Sequence, residues 1–352
     1  MSLPSPKQPF VSGVVHTSVG AIPQVKAALA WRDCWGAIKV RWGVNRMNYT
    51  VDPGLYALEN PDNNSPVFVT SNYKLSFDHL RKALPGRNAW ILVLDTDGVN
   101  VWCAAGKGSF GTDELVRRIE SADLAQVVSS REIILPQLGG PGIASLQVKK
   151  RSGFKAVYGP IRSQDLSAFM DAGLKATPEM RRKTFPIQER AVLIPVELVD
   201  TLKYALMIIF AFFILGGLFG ADQFWHNALN AGVFAGITLF MGISAGAVLT
   251  PLLLPWLPGR AFALKGLVMG LIVGSAFLLF GSSAVEGNTA LLENVSQLFL
   301  IPAVAAFLAM NFTGASTYTS LSGVRKEMKW AVPPEIGAVI IGLGFWLSSQ
   351  LS

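Results

Sequence analysis

The stretch Ala89-Trp90-Ile91-Leu92-Val93-Leu94 is an uninterrupted apolar run, which predicts a strand buried in a parallel sheet. It is followed by the glycine-rich segment Asp97-Gly98-Val99-Asn100-Val101-Trp102-Cys103-Ala104-Ala105-Gly106-Lys107-Gly108. A helix start comes next, with Thr112 predicted as the N-cap and Asp113 and Glu114 in the first turn. The Cys103 segment is therefore inserted at the carboxyl end of a strand, the edge where open α/β sheets bind ligands.

The chain around this segment alternates between strand and helix patterns. Strands are predicted at 66–70, 125–128, 132–135 and 153–158, and helices at 77–84, 113–121, 143–150 and 163–173, with glycine-rich loops at 136–142 and 159–162. This alternation predicts a doubly wound, Rossmann-like α/β domain over residues 67–180. Residues 1–66 have no readable pattern and are predicted to form an N-terminal extension that packs on this domain.

Three tryptophans lie close together in that extension. Trp31, Trp35 and Trp42 stand beside Arg32 and Arg41. Such a cluster most often indicates packing or contact with a partner, and a ligand platform is the second interpretation.

The second half of the chain has a different composition. Of the 352 residues 51% are hydrophobic and only 15% charged, and beyond Lys203 charges become rare. Five apolar segments near 204–221, 232–254, 266–285, 295–311 and 336–351 predict a transmembrane domain of five helices over 204–352. A basic juxtamembrane linker over 181–203 precedes them. No segment has a charged residue in its middle, which argues against an ion-coupled transporter.

The basic residues predict the orientation of these helices. The net charge is +7, but many of the basic residues flank the apolar runs and do not line a face of the nucleic-acid-binding type. Lysines and arginines recur in alternate loops, at Arg260 and Lys265 and again over 325–329. The positive-inside rule then predicts a multi-pass protein of the cytoplasmic (inner) membrane, with the N-terminal domain cytoplasmic and the C-terminus outside.

The chain has only two cysteines, Cys34 and Cys103. Two distant cysteines exclude a disulfide framework, a four-ligand zinc site and an intrinsic iron–sulfur cluster. A lone cysteine is most often a small buried hydrophobe. For Cys103, the ligand-binding edge, a helix start at Asn100 and a lysine at 107 favour instead a thiolate that acts as nucleophile, redox thiol or metal ligand.

The segment Asn100-Val101-Trp102-Cys103-Ala104-Ala105-Gly106-Lys107 resembles the signature of the mercury-methylating corrinoid protein family, HgcA. The stretches 69–78, 135–138 and 158–162 resemble that family too, as does the plan of a soluble domain followed by five spans. The soluble part is also similar to the corrinoid-binding domain of the corrinoid iron–sulfur protein large subunit, whose own cluster domain is missing here.

This resemblance implies a cobalamin-type corrinoid as cofactor. Cys103, on a short capping helix, is then the catalytic residue and the lower axial ligand of cobalt. The implied cofactor-binding residues are Thr70, Ser76, Asn100, Val101, Trp102, Cys103, Ala104 and Lys107. Ser76 departs from the pattern, because a threonine is expected there. Thr313 to Tyr318 are predicted to face the upper side of the ring.

The implied activity is that of a corrinoid-dependent methyltransferase. It transfers a methyl group from methyl-cobalt(III) corrinoid to mercury(II) and forms methylmercury. A thiolate donates more electron density to cobalt than an imidazole, which favours departure of the methyl group as a carbanion or radical. His16, His79 and His226 do not stand in the Asp-x-His-x-x-Gly pattern of histidine-ligated corrinoid proteins.

Electron counting implies an external reductant, because loss of a methyl carbanion leaves cobalt two electrons short of the next cycle. The family's donor is a small ferredoxin-like protein with two 4Fe–4S clusters, HgcB. A folate-type compound, or the methyltransferase that uses it, is the implied methyl donor.

Other functions remain open at this point. The chain could be a membrane-anchored methyl carrier with another physiological acceptor. It could also be a membrane transporter or receptor with a regulatory α/β domain, which predicts no bound corrinoid. A thiol-redox enzyme would need a resolving cysteine near Cys103 in sequence, and the sequence has none.

Overall fold

The computed structural model describes residues 3–220, 223–280, 288–312 and 321–351. The chain divides into two compact units. One comprises Met1–Val40 and Val44–Thr184, and the other comprises Arg41–Gly43 and Phe185–Ser352. The hypothesis about Thr313 to Tyr318 and the end of the third predicted span, 281–285, lie outside the described residues.

The first unit is built on one seven-stranded sheet with the order β1-β2-β3-β5-β4-β6-β7. Strands β5, β4, β6 and β7 are parallel to one another, whereas β3 runs antiparallel to β5. Strands β1 and β2 form an antiparallel hairpin at the far edge, and β2 pairs in parallel with β3. The bounds are β1 Gly13–Thr17, β2 Gly20–Val25, β3 Gly54–Leu58, β4 Val67–Ser71, β5 Ala89–Leu94, β6 Glu132–Leu135 and β7 Lys155–Tyr158.

Helices cover both faces of this sheet. They are α1 Trp31–Arg41, α2 Lys74–Lys82, α3 Val101–Lys107, α4 Thr112–Ser121, α5 Leu124–Val127, α6 Ser145–Ser152 and α7 Leu166–Asp171. Successive residues of β5 enter opposite cores, because side chains of a strand alternate between faces. Leu92 packs in the core with α3, α4 and α6, and Ile91 in the core with α2 and α7. The predicted α/β sheet with helices on both faces is confirmed.

Three strands of the sheet come from the first 66 residues, for which the sequence suggested only an extension. Strand β3 pairs along its whole length with the central strand β5, from Gly54 opposite Val93 to Leu58 opposite Ala89. All five residues of β3 are buried. This part of the chain therefore belongs to the body of the sheet.

Two local predictions are wrong. The N-cap of α4 is Gly111, not Thr112, whose hydroxyl instead accepts a hydrogen bond from the Ala144 N–H at 2.9 Å. A Cβ at position 111 would lie 2.6 Å from the Gly108 carbonyl oxygen, so the close approach requires glycine. The strand predicted at 125–128 is the short helix α5, with Leu124 and Val127 facing the core three residues apart.

The second unit is helical. It contains α8 Ile187–Ala191, α9 Ile194–Phe219, α10 Phe224–Ile243, α11 Thr250–Leu253, α12 Phe262–Phe280, α13 Asn288–Asn311 and α14 Leu321–Leu351, with a π-helical stretch at Ser244–Leu249. Five helical stretches are long and apolar enough to cross a membrane, namely Ile187–Phe219, Phe224–Leu253, Phe262–Phe280, Asn288–Asn311 and Gly323–Leu351. The predicted number of five such helices is confirmed.

Helix α14 begins well before the apolar segment predicted at 336–351 and therefore includes Glu335. Among the described residues, neither carboxylate oxygen of Glu335 has a hydrogen-bond partner, and both are buried. Glu335 lines a cavity of about 710 Å³ between α9, α10, α13 and α14, together with Glu197, Asp200 and mostly apolar side chains. The prediction that no span has a charged residue in its middle holds for the segment 336–351, but not for the longer helix, which includes Glu335.

Candidate functional site

The candidate site lies at the carboxyl edge of the parallel strands. The chain passes from β4 through α2 to β5 on one side, and then returns to β6 on the other side of β4. The loops after β4 and β6 thus diverge, and such a switch point opens a crevice for ligands in α/β sheets. The loops at this edge are 72–73, 95–100, 136–144 and 159–162.

Asn72 holds the loop between β5 and α3 in place. Its Oδ1 accepts hydrogen bonds from the backbone N–H groups of Thr96 at 3.1 Å and Gly98 at 3.0 Å. Its Nδ2 donates to Asp95 Oδ1 at 3.2 Å. One buried side chain at the end of β4 therefore fixes three positions of the loop that leads to Cys103.

Glu114 supports the same loop from α4. Its carboxylate accepts a hydrogen bond from the Asp95 N–H at 2.9 Å and one from Arg118 at 2.8 Å, and it also pairs with Arg117. Burial alone would raise the pKa of Glu114, but the hydrogen bonds from Asp95, Arg118 and Arg117 hold that pKa below its ordinary value. The side chain is therefore an ionised anchor at neutral pH.

Asn100 begins helix α3. It has extended backbone angles and its side chain accepts a hydrogen bond from the Cys103 N–H at 3.0 Å, as an N-cap does. Gly108 ends the helix with a φ of 91°. The helix start predicted at Asn100 is thus present, and Cys103 lies in its first turn with an exposed thiol that is not in a disulfide.

The inner face of α3 is packed tightly. Ala104 and Ala105 enter the core of the domain, and Ala104 has no exposed surface. The glycine-rich turn Gln137–Gly142 lies behind them, close enough that a Cβ on Gly142 would be 3.2 Å from Ala105 Cα and 2.1 Å from the Phe110 carbonyl oxygen. The buried face holds the helix while the thiol faces outward.

The other predicted site residues lie at different depths. Val101, Trp102 and Asn100 are half-buried beside Cys103, and Lys107 is exposed at the end of α3. Thr70 is almost completely buried in β4, on the face opposite to α3, and Ser76 is half-buried on α2. The structure therefore brings 100–107 together on one element and leaves Thr70 and Ser76 on the other side of the sheet.

Two polar groups at this edge have no hydrogen-bond partner in the described part of the chain. They are Ser71 Oγ, at the last position of β4, and Arg162 Nε, in the loop after β7. Ser71 is fully buried and faces the same side of the sheet as α3, because it alternates with Thr70. Buried polar groups are normally bonded, so these two atoms fit a polar ligand at this edge.

Sequence reasoning missed Asn72, Ser71 and Glu114. All three are polar residues at the end of a strand or the start of a helix, and Asn72 and Ser71 follow the buried run 67–70 directly. A polar pair at the carboxyl end of a predicted parallel strand was the available signal. This polar pair indicates the edge of the sheet where a site lies, but it does not indicate which loop each side chain contacts.

The α/β domain matches a known family. Residues 42–169 match the model of the CO dehydrogenase/acetyl-CoA synthase delta subunit family. This range contains β3 to β7 and the Cys103 helix. The domain is similar to that subunit family.

Individual relatives agree with this match. The gamma subunit of the acetyl-CoA decarbonylase/synthase complex from Methanocaldococcus jannaschii is 34% identical over 127 residues, which are 36% of this chain and 26% of the relative. The corrinoid/iron-sulfur protein large subunit of Moorella thermoacetica is 27% identical over 113 residues, which are 32% of this chain and 25% of the relative. The chain thus spans about a quarter of the length of these relatives.

Proposed function

We propose that the α/β domain binds a corrinoid and that the chain is a corrinoid-dependent methyl carrier, with Cys103 as the lower axial ligand of cobalt. The supporting observation is the exposed Cys103 thiol on a capped, tightly backed helix at the carboxyl edge of the sheet. The domain that carries this helix is similar to the large subunit of a corrinoid/iron-sulfur protein. A thiolate is a suitable donor to a soft or borderline metal centre.

The residues around Cys103 fit such a large cofactor. Ser71 Oγ and Arg162 Nε are buried groups that lack a partner among the described residues, and both lie at the ligand edge. Gly140, in the turn Gln137–Gly142, leaves space for a ligand beside the backbone, because even a Cβ there would meet only the Tyr158 ring at 3.7 Å. Thr70, Ser76 and Ala104 are further proposed contacts of the cofactor.

Each residue of α3 has a distinct part in this proposal. Asn100 fixes the start of the helix and therefore the direction of the Cys103 side chain. Trp102 and Val101, both half-buried, supply apolar surface beside the thiol, and exposed Lys107 supplies a positive charge for an anionic group of the ligand. A bound corrinoid supplies a cobalt atom that takes up a methyl group and passes it on.

We propose mercury(II) as the methyl acceptor, with methylmercury as the product. Mercury(II) is an electrophile, and a thiolate donor at position 103 pushes electron density toward the departing methyl group more than an imidazole would. The proposed partners are the ferredoxin-like HgcB, with two 4Fe–4S clusters, as electron donor, and a folate-type methyl donor or its methyltransferase. The domain is proposed to face the cytoplasm, with the helical unit in the inner membrane.

The first experiment is the visible and EPR spectrum of the full chain in detergent after loading with cobalamin. We expect a thiolate-ligated cobalt spectrum for the natural sequence and its loss in Cys103→Ala. Cys34→Ala is the matched control, because Cys34 is the other exposed cysteine and lies on a different helix. A folded chain that binds no corrinoid, or a spectrum unchanged in Cys103→Ala, would overturn the proposal.

A second experiment tests the acceptor. The loaded chain with a methyl donor and a reductant is mixed with mercury(II) or with a thiol acceptor, and methylmercury and methyl thioether are measured. We expect methylmercury to dominate and to vanish in Cys103→Ala. Transfer to the thiol alone would retain the methyl carrier and exclude mercury as its acceptor.

A further inference from the structure

Helix α1 presents a row of large apolar side chains to solvent. Trp31 is 74% exposed, Trp35 46% and Ile38 42%. At about 3.6 residues per turn these positions share one face of the helix, and the sequence continues the spacing with Trp42. We name Trp31, Trp35 and Ile38 the α1 stripe. The two indole rings stack with centroids 6.3 Å apart.

Buried ion pairs fix the direction of this stripe. On the opposite face of α1, Asp33 contacts Lys74 Nζ at 2.8 Å and Arg81 Nη2 at 2.7 Å. Val40 is buried on that same face. The helix therefore cannot turn its tryptophans inward without separating Asp33 from both cations.

The rim of the stripe is cationic. Arg32 and Lys39 are both exposed on α1, and Lys39 Nζ lies 5.8 Å from the centre of the Trp35 ring. Asp33 is the one acidic residue of the segment Trp31–Arg41, and it is buried and already paired. An apolar stripe with a rim of one sign is complementary to an anionic surface with an apolar interior.

We propose that the α1 stripe is a lipid-binding surface that inserts into the headgroup layer of an anionic bilayer. Tryptophan prefers this layer because its ring is apolar and its N–H is polar. Arg32 and Lys39 bind lipid phosphates while their aliphatic stems lie along the indoles. The same chain carries five helices that are long and apolar enough to cross a membrane. The proposal does not depend on the proposed corrinoid, because the stripe lies on α1 and Cys103 lies on α3.

The test uses Cys34, which is exposed on α1 beside the stripe. A nitroxide is attached to Cys34 in the full chain carrying Cys103→Ser, and the chain is placed in nanodiscs. EPR measures the accessibility of the label to oxygen, which enters bilayers, and to a water-soluble nickel chelate. We expect oxygen accessibility to rise and chelate accessibility to fall when phosphatidylglycerol replaces phosphatidylcholine.

The control label is Asn64→Cys in a chain with both natural cysteines replaced by serine. Asn64 lies in an exposed turn between β3 and β4. We expect the control label to be equally accessible to the chelate in both kinds of disc. A Cys34 label that behaves like the control would overturn the proposal. Protection that is equal in both kinds of disc would assign the stripe to a protein contact and overturn it as well.

Two variants separate the apolar and the ionic contributions. Trp31→Ser with Trp35→Ser removes the stripe at exposed positions, and Arg32→Glu with Lys39→Glu reverses the rim. Each cation near an anionic bilayer strengthens attachment about fivefold. The ratio of immersed to aqueous label is therefore expected to fall at least about fivefold when the rim is reversed. An unchanged population in both variants would exclude a lipid role for the stripe.

Discussion

The side-chain oxygen of Asn72 accepts a hydrogen bond from the backbone N–H of Gly98 at 3.0 Å. This contact joins the end of β4 to the loop after β5, and Gly98 has a φ of 70° that favours glycine. A Cβ at position 98 would also lie 2.8 Å from Thr50 Cγ2. The loop before α3 is therefore held from two sides.

Asn72→Ala is expected to loosen this loop. It leaves the buried N–H groups of Thr96 and Gly98 without an acceptor, and each such loss costs about 1–3 kcal/mol. Hydrogen exchange of the full chain should become faster over residues 96–103. The amides of Thr96 and Gly98 should be affected first. Asn64→Ala, in an exposed turn, is the control and should leave exchange unchanged; equal protection in Asn72→Ala would contradict the anchoring role.

Asn100→Ala is expected to fray the first turn of α3. The change removes the side-chain acceptor of the Cys103 N–H, and loss of an N-cap costs about 1 kcal/mol. Cobalamin binding should weaken, and the Cys103 amide should exchange faster. Asn100→Ser keeps a cap and should restore both properties. If alanine and serine behave alike, the cap does not position Cys103.

The buried charges of α1 and α2 predict a dependence of stability on pH. Burial alone raises the pKa of Asp33, but hydrogen bonds and charge from Lys74, and then from Arg81, hold it below its ordinary value. A depressed pKa stabilises the fold at neutral pH, and this stabilisation is lost as the pH falls below the unfolded value of about 3.9 and through the folded pKa. Protection of the α1 amides against hydrogen exchange, measured relative to the intrinsic rate at each pH, should therefore fall first on acidification.

Arg81→Met tests the same cluster at neutral pH. It removes one partner from both Asp33 and Asp78, and breaking a buried pair in this way costs about 3–5 kcal/mol. The surface pair of Arg87 and Asp171 is the matched control, because its removal by Asp171→Asn should cost less than about 1 kcal/mol. Similar losses of unfolding free energy in the two variants would contradict the prediction that the buried ion pairs stabilise the fold more than the surface pair does.

Gly142→Ala is expected to displace the turn behind α3. The new Cβ would lie 2.1 Å from the Phe110 carbonyl oxygen, a backbone atom that cannot rotate away. Such overpacking costs about 1–3 kcal/mol and should lower both thermal stability and cobalamin binding. Gly140→Ala is the matched control, because its Cβ would meet only the Tyr158 ring at 3.7 Å. Equal effects at 140 and 142 would exclude this packing argument.

The sequence predicts the parts of this fold that depend on local pattern. The run 89–94 is strand β5, and the residues before Cys103 begin a helix at Asn100, because apolar periodicity and capping act over a few residues. The five apolar helices are visible for the same reason. The N-terminal strands cannot be recognised in the sequence in this way. Strand β2 contains a proline, and its burial depends on pairing with the distant strand β3.

The sequence predicts the central segment of the candidate site, which stays a prediction, but not the residues that support that segment. Cys103 and its neighbours are contiguous, so a motif reveals them. Asn72 acts on residues 24 and 26 positions away, and Glu114 acts on Asp95 from the next helix. Such contacts depend on which loops the sheet order brings together. Thr112 is a further example. Its residue type suits an N-cap, but its hydroxyl accepts a hydrogen bond from the Ala144 N–H of another loop, which the local sequence does not predict.

The cap of helix α3 is a bond to the backbone of position 103, and the side chain of that residue takes no part in it. Any amino acid except proline can donate the same hydrogen bond. The fold of the domain therefore does not require a sulfur atom at this point, and a side chain with nitrogen or oxygen would leave the same helix start. The side chain at position 103 can therefore change without a change in the backbone contact that starts α3. A substitution at this one position alters the chemical group that the domain exposes and leaves its fold intact.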